Sequence, residues 1–269
     1  MPDSPSDLRR FRSAVAYYDR YRLAYPARLI ARVAGFAGLK AGDSVLDLGT
    51  GTGMLAIAFA RAGMAVTAMD PEPEMLEAAR AKAVAAGVSL NFVQGSSFDL
   101  TAGMGPFSLV TIGRAFHWMD RAATLQMLDH IVAPGGGVAF FHDSHPGLPE
   151  NAWFKALHEV GDKYGRSNAA HIRERRQGGH RRYEPFLFAS AFTMLDGFSV
   201  TLRQPIAADE IVGRAFSQST CSPEKLGERK DEFEADLRAA LGALSADGNF
   251  MEVAELVALL ARRPPEPMR

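Results

Sequence analysis

Cysteine is nearly absent. The 269 residues hold one, Cys221, so no internal disulfide can form, and the usage fits a reducing compartment. Long apolar runs are absent too. No stretch approaches the roughly 20 apolar residues that a membrane span needs. Met1 to Arg12 is polar and charged, without the apolar core of a secretory signal. An excess of one charge is also missing: 30 basic against 31 acidic residues give a net charge of −1. Nothing in that balance points to nucleic acid or an anionic membrane as partner. There are no internal repeats and no low-complexity linker. These absences predict a soluble, cytoplasmic protein, and they leave monomer or homodimer open.

What is there organises itself around Ser44 to Gly53. Apolar Val45, Leu46 and Leu48 run into Gly49, Gly51 and Gly53, and an Ala-rich helical pattern follows from Met54 to Ala62. This is a strand, a tight glycine turn and a helix start. Glycine lets backbone approach a ligand closely. The helix start offers unpaired N–H groups to an anionic group.

Strand and helix then alternate. The pattern predicts strands at 44–49, 65–69, 90–94, 108–112 and 138–141. Helices are predicted at 53–62, from Pro71 to about Ala86, and over 122–131, and Pro134-Gly135-Gly136-Gly137 reads as the turn into strand five. Five such strands imply a parallel sheet covered on both faces. Beyond 145 the regularity breaks. A helix is expected at about 150–164, a strand at 198–202, and helices at 208–217 and 223–244. Val253, Leu256, Val257 and Leu260 fit a helix as well as a buried strand. The expected organisation is a flexible arm (1–13), one domain (14–262) and a tail (263–269). Within the domain we place a core at 38–145, a substrate-side insert at 145–193 and a C-terminal elaboration at 194–262. Tyr17 to Pro26 carries four tyrosines and two arginines; it is either a surface helix or a lid over a ligand. Arg173 to Arg182 reads as a solvated basic loop.

Dinucleotide enzymes favour Gly-x-Gly-x-x-Gly. Here Met54 stands where that third glycine belongs, and Gly53 comes one residue early, which argues against a nicotinamide dehydrogenase. Asp47 precedes the turn, and a carboxylate there would repel a pyrophosphate but welcome an ammonium. S-adenosylmethionine, a zwitterion with a cationic sulfur, fits that charge pattern. Asp70 ends strand two, 19 residues after Gly51, where it can accept from both ribose hydroxyls; it can also cap the next helix, with Pro71 at the first helical position. Ser97 and Phe98, after strand three, lie on the adenine side.

These residues resemble a known family. Val45 to Gly53 is similar to motif I of the class I S-adenosylmethionine-dependent methyltransferases, and Asp70 falls where that family has its ribose-binding acid. Phe107 to Asp120 resembles the strand-four motif of the type 11 subgroup that includes trans-aconitate methyltransferases. Tyr18-Asp19-Arg20-Tyr21-Arg22 with Tyr25-Pro26 resembles its N-terminal signature. Two departures stand out: Ser96 and Ser97 occupy the loop where the family usually has an acid, and Leu23 follows Arg22 where it usually has proline. The resemblance implies an α/β, doubly wound, mostly parallel seven-stranded sheet with a helical lid. It also implies that the last segment is a strand antiparallel to the one near 198–203.

The implied activity is methyl transfer to a small molecule in an enclosed pocket, with S-adenosyl-L-methionine as donor and S-adenosyl-L-homocysteine as product. A protein that binds this cofactor without methylating is the alternative. The expected cofactor site comprises Tyr18, Arg22, Asp47, Gly49, Thr50, Gly51, Gly53, Asp70, Pro71, Met75, Ser96, Ser97, Phe98 and Arg114. In-line displacement at a sulfonium needs positioning first. A hydroxyl or phenol acceptor also needs a base, and His117 and His142 are the candidates; His145 is a further polar group on the same edge. Arg22 and Arg114 suit a carboxylate of cofactor or substrate. His142, Asp143 and His145 lack a further ligand at a clear spacing, so no metal is expected.

Overall fold

The computed structural model describes residues 15–165 and 183–265. Its seven strands are β1 (Ser44–Leu48), β2 (Ala65–Asp70), β3 (Asn91–Gln94), β4 (Phe107–Gly113), β5 (Val132–Ser144), β6 (Met194–Ala207) and β7 (Asn249–Arg262). They form one sheet in the order β3-β2-β1-β4-β5-β7-β6. The first five strands run parallel, and β7 lies antiparallel to both β5 and β6. The expected doubly wound seven-stranded sheet is therefore present. Its strand order reverses between β1 and β4, which opens a crevice at their carboxyl ends.

The helices are α1 (Val15–Tyr21), α2 (Ala27–Phe36), α3 (Met54–Arg61), α4 (Pro73–Ala86), α5 (Arg121–Ile131), α6 (Ala152–Lys163), α7 (Glu184–Phe188), α8 (Ala208–Phe216), α9 (Pro223–Leu226) and α10 (Lys230–Leu244). Two apolar layers cover the sheet. Val45, Leu109, Ala139 and Phe141 pack with α2 and α3 on one face. Leu46, Leu48, Val110 and Phe140 pack with α5 and α7 on the other. A third cluster, with Trp153, Phe216, Phe233 and Leu237 at its centre, joins α6, α8 and α10.

Several sequence expectations shift. The helix after β2 starts at Pro73, not Pro71, with Glu72 at the cap position. The run Pro134 to Gly137 is not a free turn. It lies inside β5, which pairs Val132 with Phe107 and Gly137 with Leu109 across a register shift. The helix expected over 223–244 breaks at Gly227, whose φ is +56°, and resumes at Lys230. The 250–262 segment, ambiguous by pattern alone, is the strand β7, antiparallel to β6 as the family resemblance implies. Ala254, Leu256, Ala258 and Leu260 are all buried while the residues between them are half-buried. Its backbone groups pair with β5 along one edge and with β6 along the other, while the two-residue alternation aims successive side chains at opposite faces of the sheet. Arg263, placed in the tail, is docked: its Nε donates to Asp129 at 2.7 Å and its Nη1 to the Ala133 carbonyl at 3.2 Å. The arm 1–13, the basic run 173–182 and residues 266–269 lie outside the described residues. Among the described residues, no helix is long and apolar enough to cross a membrane.

Candidate active site

The glycine turn is held from three sides. Its amides at Gly49 and Thr50 both donate to the Met69 carbonyl, at 2.8 and 2.9 Å, which moors it to β2. Gly49, Gly51 and Gly53 have φ of +73°, +55° and +81°, a region that side chains other than glycine enter only with strain. Two of them also permit close packing. A Cβ on Gly49 would sit 2.7 Å from the Cβ of Ala115, and one on Gly53 would sit 3.1 Å from the Cβ of Ala79 on α4. Gly51 differs: around it the nearest atom to an added Cβ is a Tyr18 ring carbon at 3.9 Å. The open side of the turn is thus at Gly51, and α1 covers it.

Asp70 reaches back to this turn. One carboxylate oxygen accepts from the Gly51 amide at 2.8 Å and the other from the Glu72 amide at 3.0 Å. It does not act as the expected helix cap, because the helix begins two residues later. Burial lifts its pKa to about 6, against the lowering pull of the two amides. An ionised carboxylate offers about four lone-pair sites, so two acceptor positions remain for other hydroxyls.

Asp47 corrects the sequence argument. Strand alternation puts Val45 and Asp47 on the α3 face, and the Asp47 carboxylate is 1% exposed. Thr50 donates to it at 2.6 Å, Thr111 on the neighbouring β4 at 2.7 Å, and the Ala56 amide of α3 at 3.1 Å. The Asp47 carboxylate therefore ties β1, β4, the turn and α3 together, and it does not face the crevice. The repulsion argument from a ligand-facing carboxylate does not operate by contact. Thr50, expected at the cofactor, spends its hydroxyl on this tie. Met75 is likewise buried in α4, at 3% exposure, while Pro71 is half-buried between β2 and α4.

After β3, Ser96 caps a short 3₁₀ turn. Its backbone N–H and its hydroxyl both donate to Asp99 at 2.8 Å, and its Oγ accepts from the Phe98 amide at 3.3 Å. Asp99 thus closes this loop, and its pKa is lowered by those Ser96 contacts. Ser97 follows on the same turn, and the Phe98 ring is 57% exposed.

Arg114 occupies the crevice wall beyond β4 with φ +56°, a strained backbone for a non-glycine residue. Its Nε pairs with Asp143 on β5, its Nη2 donates to the Leu23 carbonyl at 2.9 Å, and its guanidinium lies 4.6 Å from the Tyr25 ring centre. Burial pushes the Asp143 pKa up, but Arg114 and Arg22 outweigh it and hold the carboxyl well below the usual range. Arg114 is therefore committed to Asp143 and the 23–25 segment, so a cofactor carboxylate would have to compete for it.

Arg22 is different. Its Nη2 donates to the Ser217 carbonyl at 3.1 Å and its guanidinium sits 5.1 Å from the Tyr18 ring centre, yet its Nε is buried without a partner. Burial, chiefly, lowers its pKa, and Asp143, whose charge favours it, is taken by Arg114. A buried guanidinium N–H without an acceptor calls for an anion. The oxygen of Tyr25 and the Oγ of Thr52 are also buried without partners.

The two candidate bases stand at the carboxyl ends of adjacent strands. His117 is on the 3₁₀ turn Phe116–Trp118, its ring 4.5 Å from Trp118. His142 faces Tyr183, ring to ring at 6.1 Å. His145 is instead drawn into a buried network: its Nε2 lies 2.7 Å from Glu252, which also pairs with Arg214 and accepts from Gln204 at 2.9 Å. Glu252 and Arg214 escaped sequence reasoning, since they lie in stretches whose only signal is apolar periodicity. Among the described residues no group of three or more His, Cys, Asp or Glu could hold a metal.

Comparison with known proteins bears on this arrangement. Residues 45–136 match the family model described as a methyltransferase domain. An uncharacterized methyltransferase of Mycobacterium tuberculosis is 31% identical over 150 residues, 56% of this chain and 58% of its own length. A ubiquinone biosynthesis O-methyltransferase of Pectobacterium carotovorum is 35% identical over 125 residues, 46% of this chain and 50% of its own length. The chain spans about half the length of these curated relatives. A solved structure from Anaeromyxobacter dehalogenans, described as a candidate type II methyltransferase, superposes with a TM-score of 0.64 at 18% identity, covering 90% of this chain and 98% of its own. At that identity the likeness shows the fold, the Rossmann-like sheet of methyltransferases.

Proposed function

We propose that the protein is an S-adenosylmethionine-dependent methyltransferase acting on a small molecule. The observation that carries this reading is the left-handed glycine turn with the Asp70 carboxylate against Gly51, at the strand-order reversal and beneath a helix followed by an arginine whose buried Nε–H has no partner. The chain's residues fit the donor. Asp70 keeps two acceptor positions for the ribose hydroxyls. The Arg22 Nε–H offers a buried charge-assisted hydrogen bond to the carboxylate of the methionine end. Phe98 offers an exposed flat ring to the adenine, with Ser97 beside it.

When bound, S-adenosylmethionine supplies a methyl group on a cationic sulfur, which departs as a neutral thioether. The protein's share is orientation and exclusion of water. Tyr18 on α1 closes over the Gly51 side of the turn, and Arg22, just past the helix end, lies against the Tyr18 ring. The matched relative named for an O-methyltransferase makes a hydroxyl-bearing acceptor the first class to test. For such an acceptor, His117 or His142 takes the proton.

Thermal shift tests the donor assignment. S-adenosylhomocysteine should raise the melting temperature, and NAD should not. Stabilisation by NAD with no response to S-adenosylhomocysteine would sink the proposal.

A further inference from the structure

The lid is fastened at its far end, away from the glycine turn. Tyr17 and Tyr21 of α1, with Arg22 just beyond it, meet α8 and its capping residue Ser217 at four points. The Tyr21 carbonyl accepts from Arg214 Nε at 3.2 Å. The Ser217 carbonyl accepts from Arg22 Nη2 at 3.1 Å. The Tyr17 and Phe216 rings meet edge to face, with centres 5.3 Å apart. Finally, the Tyr21 ring lies flat on Gly213, so close that a Cβ there would fall 2.3 Å from a ring carbon.

Arg214 is itself fixed from below. Its Nη1 and Nη2 grip both carboxylate oxygens of Glu252 on β7, and Glu252 is fully buried, with His145 and Gln204 on its remaining sites. The Ser217 hydroxyl returns to the Arg214 carbonyl at 2.6 Å. By contrast, α1 meets the donor half of the chain through an exposed ion pair, Asp19 with Lys82, and through Tyr18. An exposed pair contributes little. A fork held by a buried carboxylate is rigid.

Resting on the donor-site reading above, we propose that Arg214 is a positioning residue for the donor site. Clasped to Glu252, it holds the end of α1 so that Arg22 presents its free Nε–H over the glycine turn. The C-terminal elaboration thereby sets the affinity for the donor, though Arg214 and Gly213 belong to α8 and the glycine turn to β1 and α3. Without the clasp, only a fraction of molecules present Arg22 correctly, and apparent affinity falls by that fraction.

Gly213→Ala tests this cleanly. Alanine favours a helix interior over glycine, so α8 itself is not weakened, but the new methyl displaces Tyr21. Arg214→Met removes the clasp directly. Calorimetric titration with S-adenosylhomocysteine should show binding on the order of tenfold weaker for Gly213→Ala, with a ligand-free melting temperature lowered by only a few degrees, so that the protein stays folded at the titration temperature. In an Arg22→Met background the same Gly213→Ala change should cost less than about twofold, because the lid acts through Arg22. Unchanged affinity in Gly213→Ala, or an equal loss with and without Arg22, overturns the clasp. Wild-type protein that does not bind S-adenosylhomocysteine refutes the donor site itself, and the clasp falls with it.

Discussion

Asp47 separates two accounts of the same motif. Read from sequence, its charge meets a ligand. In the structure it accepts three internal hydrogen bonds, from Thr50, Thr111 and the Ala56 amide, at 2.6, 2.7 and 3.1 Å. Asp47→Asn keeps the shape and one acceptor oxygen. That oxygen can serve Thr50 and Ala56, while the new NH₂ faces Thr111, whose hydroxyl must turn and accept. Its own hydrogen then has only the Leu46 carbonyl, at 3.5 Å. Hydrogen bonds to a charged group contribute about 1.5–3 kcal/mol each. Removing the buried charge offsets part of the loss, since burial already raises this pKa. The net cost should be about 1–2 kcal/mol, or a melting temperature ~2–8 °C lower for a chain of this size. Asp47→Ala leaves the Ala56 amide and two buried hydroxyls without acceptors and should cost about 3–5 kcal/mol. Differential scanning fluorimetry reads both. Where Asp47→Asn remains folded, its S-adenosylhomocysteine affinity should lie within about threefold of wild type. A variant that melts as wild type yet binds tenfold more weakly would show that the carboxylate faces the ligand after all.

Gly49 and Gly51 of the turn should respond oppositely. Gly49→Ala drives a methyl against Ala115 and should lower the melting temperature by several degrees. Gly51→Ala has room apart from Tyr18 and should cost only ~1–2 kcal/mol of left-handed strain, yet block S-adenosylhomocysteine binding in a titration. Asp70 has a pKa raised to about 6, and ribose hydroxyls donate more strongly to its ionised form, which also keeps both oxygens as acceptors. S-adenosylhomocysteine affinity should therefore hold above that pH and weaken as pH falls through it, while Asp70→Asn binds weakly at every pH. Glu252 works in the other direction. Burial raises its pKa, but His145, Arg214 and Gln204 more than compensate and bring it to about 2. Its contribution to stability is complete above the ordinary glutamate range and is lost as pH falls through about 2. Glu252→Gln should melt lower at neutral pH and lose much of that acid dependence in a pH series of melts.

Much of the fold could be read along the chain. Alternating apolar runs and glycine punctuation locate β1 to β5, because a doubly covered parallel strand must be apolar on both sides and its turn must admit positive φ. The burial of Met75, Leu76, Ala79 and Ala83 on α4 follows from helical spacing. What the sequence left open was decided by partners far along the chain. Residues 250–262 became a strand because β5 and β6 both needed one between them. Asp47 turned inward because Thr111, 64 residues away, stands opposite it on β4. Arg114 was taken by Asp143, whereas Arg22 kept a free N–H, a difference that rests on which carboxylate each can reach. The sequence by itself determined the local chemistry: a glycine turn, an acid after β2, and an aromatic, cationic segment ahead of both. Only the tertiary structure decided which charges face the crevice and which are spent holding it, since a side chain's partner is set by the packing of remote elements and not by its neighbours in the chain.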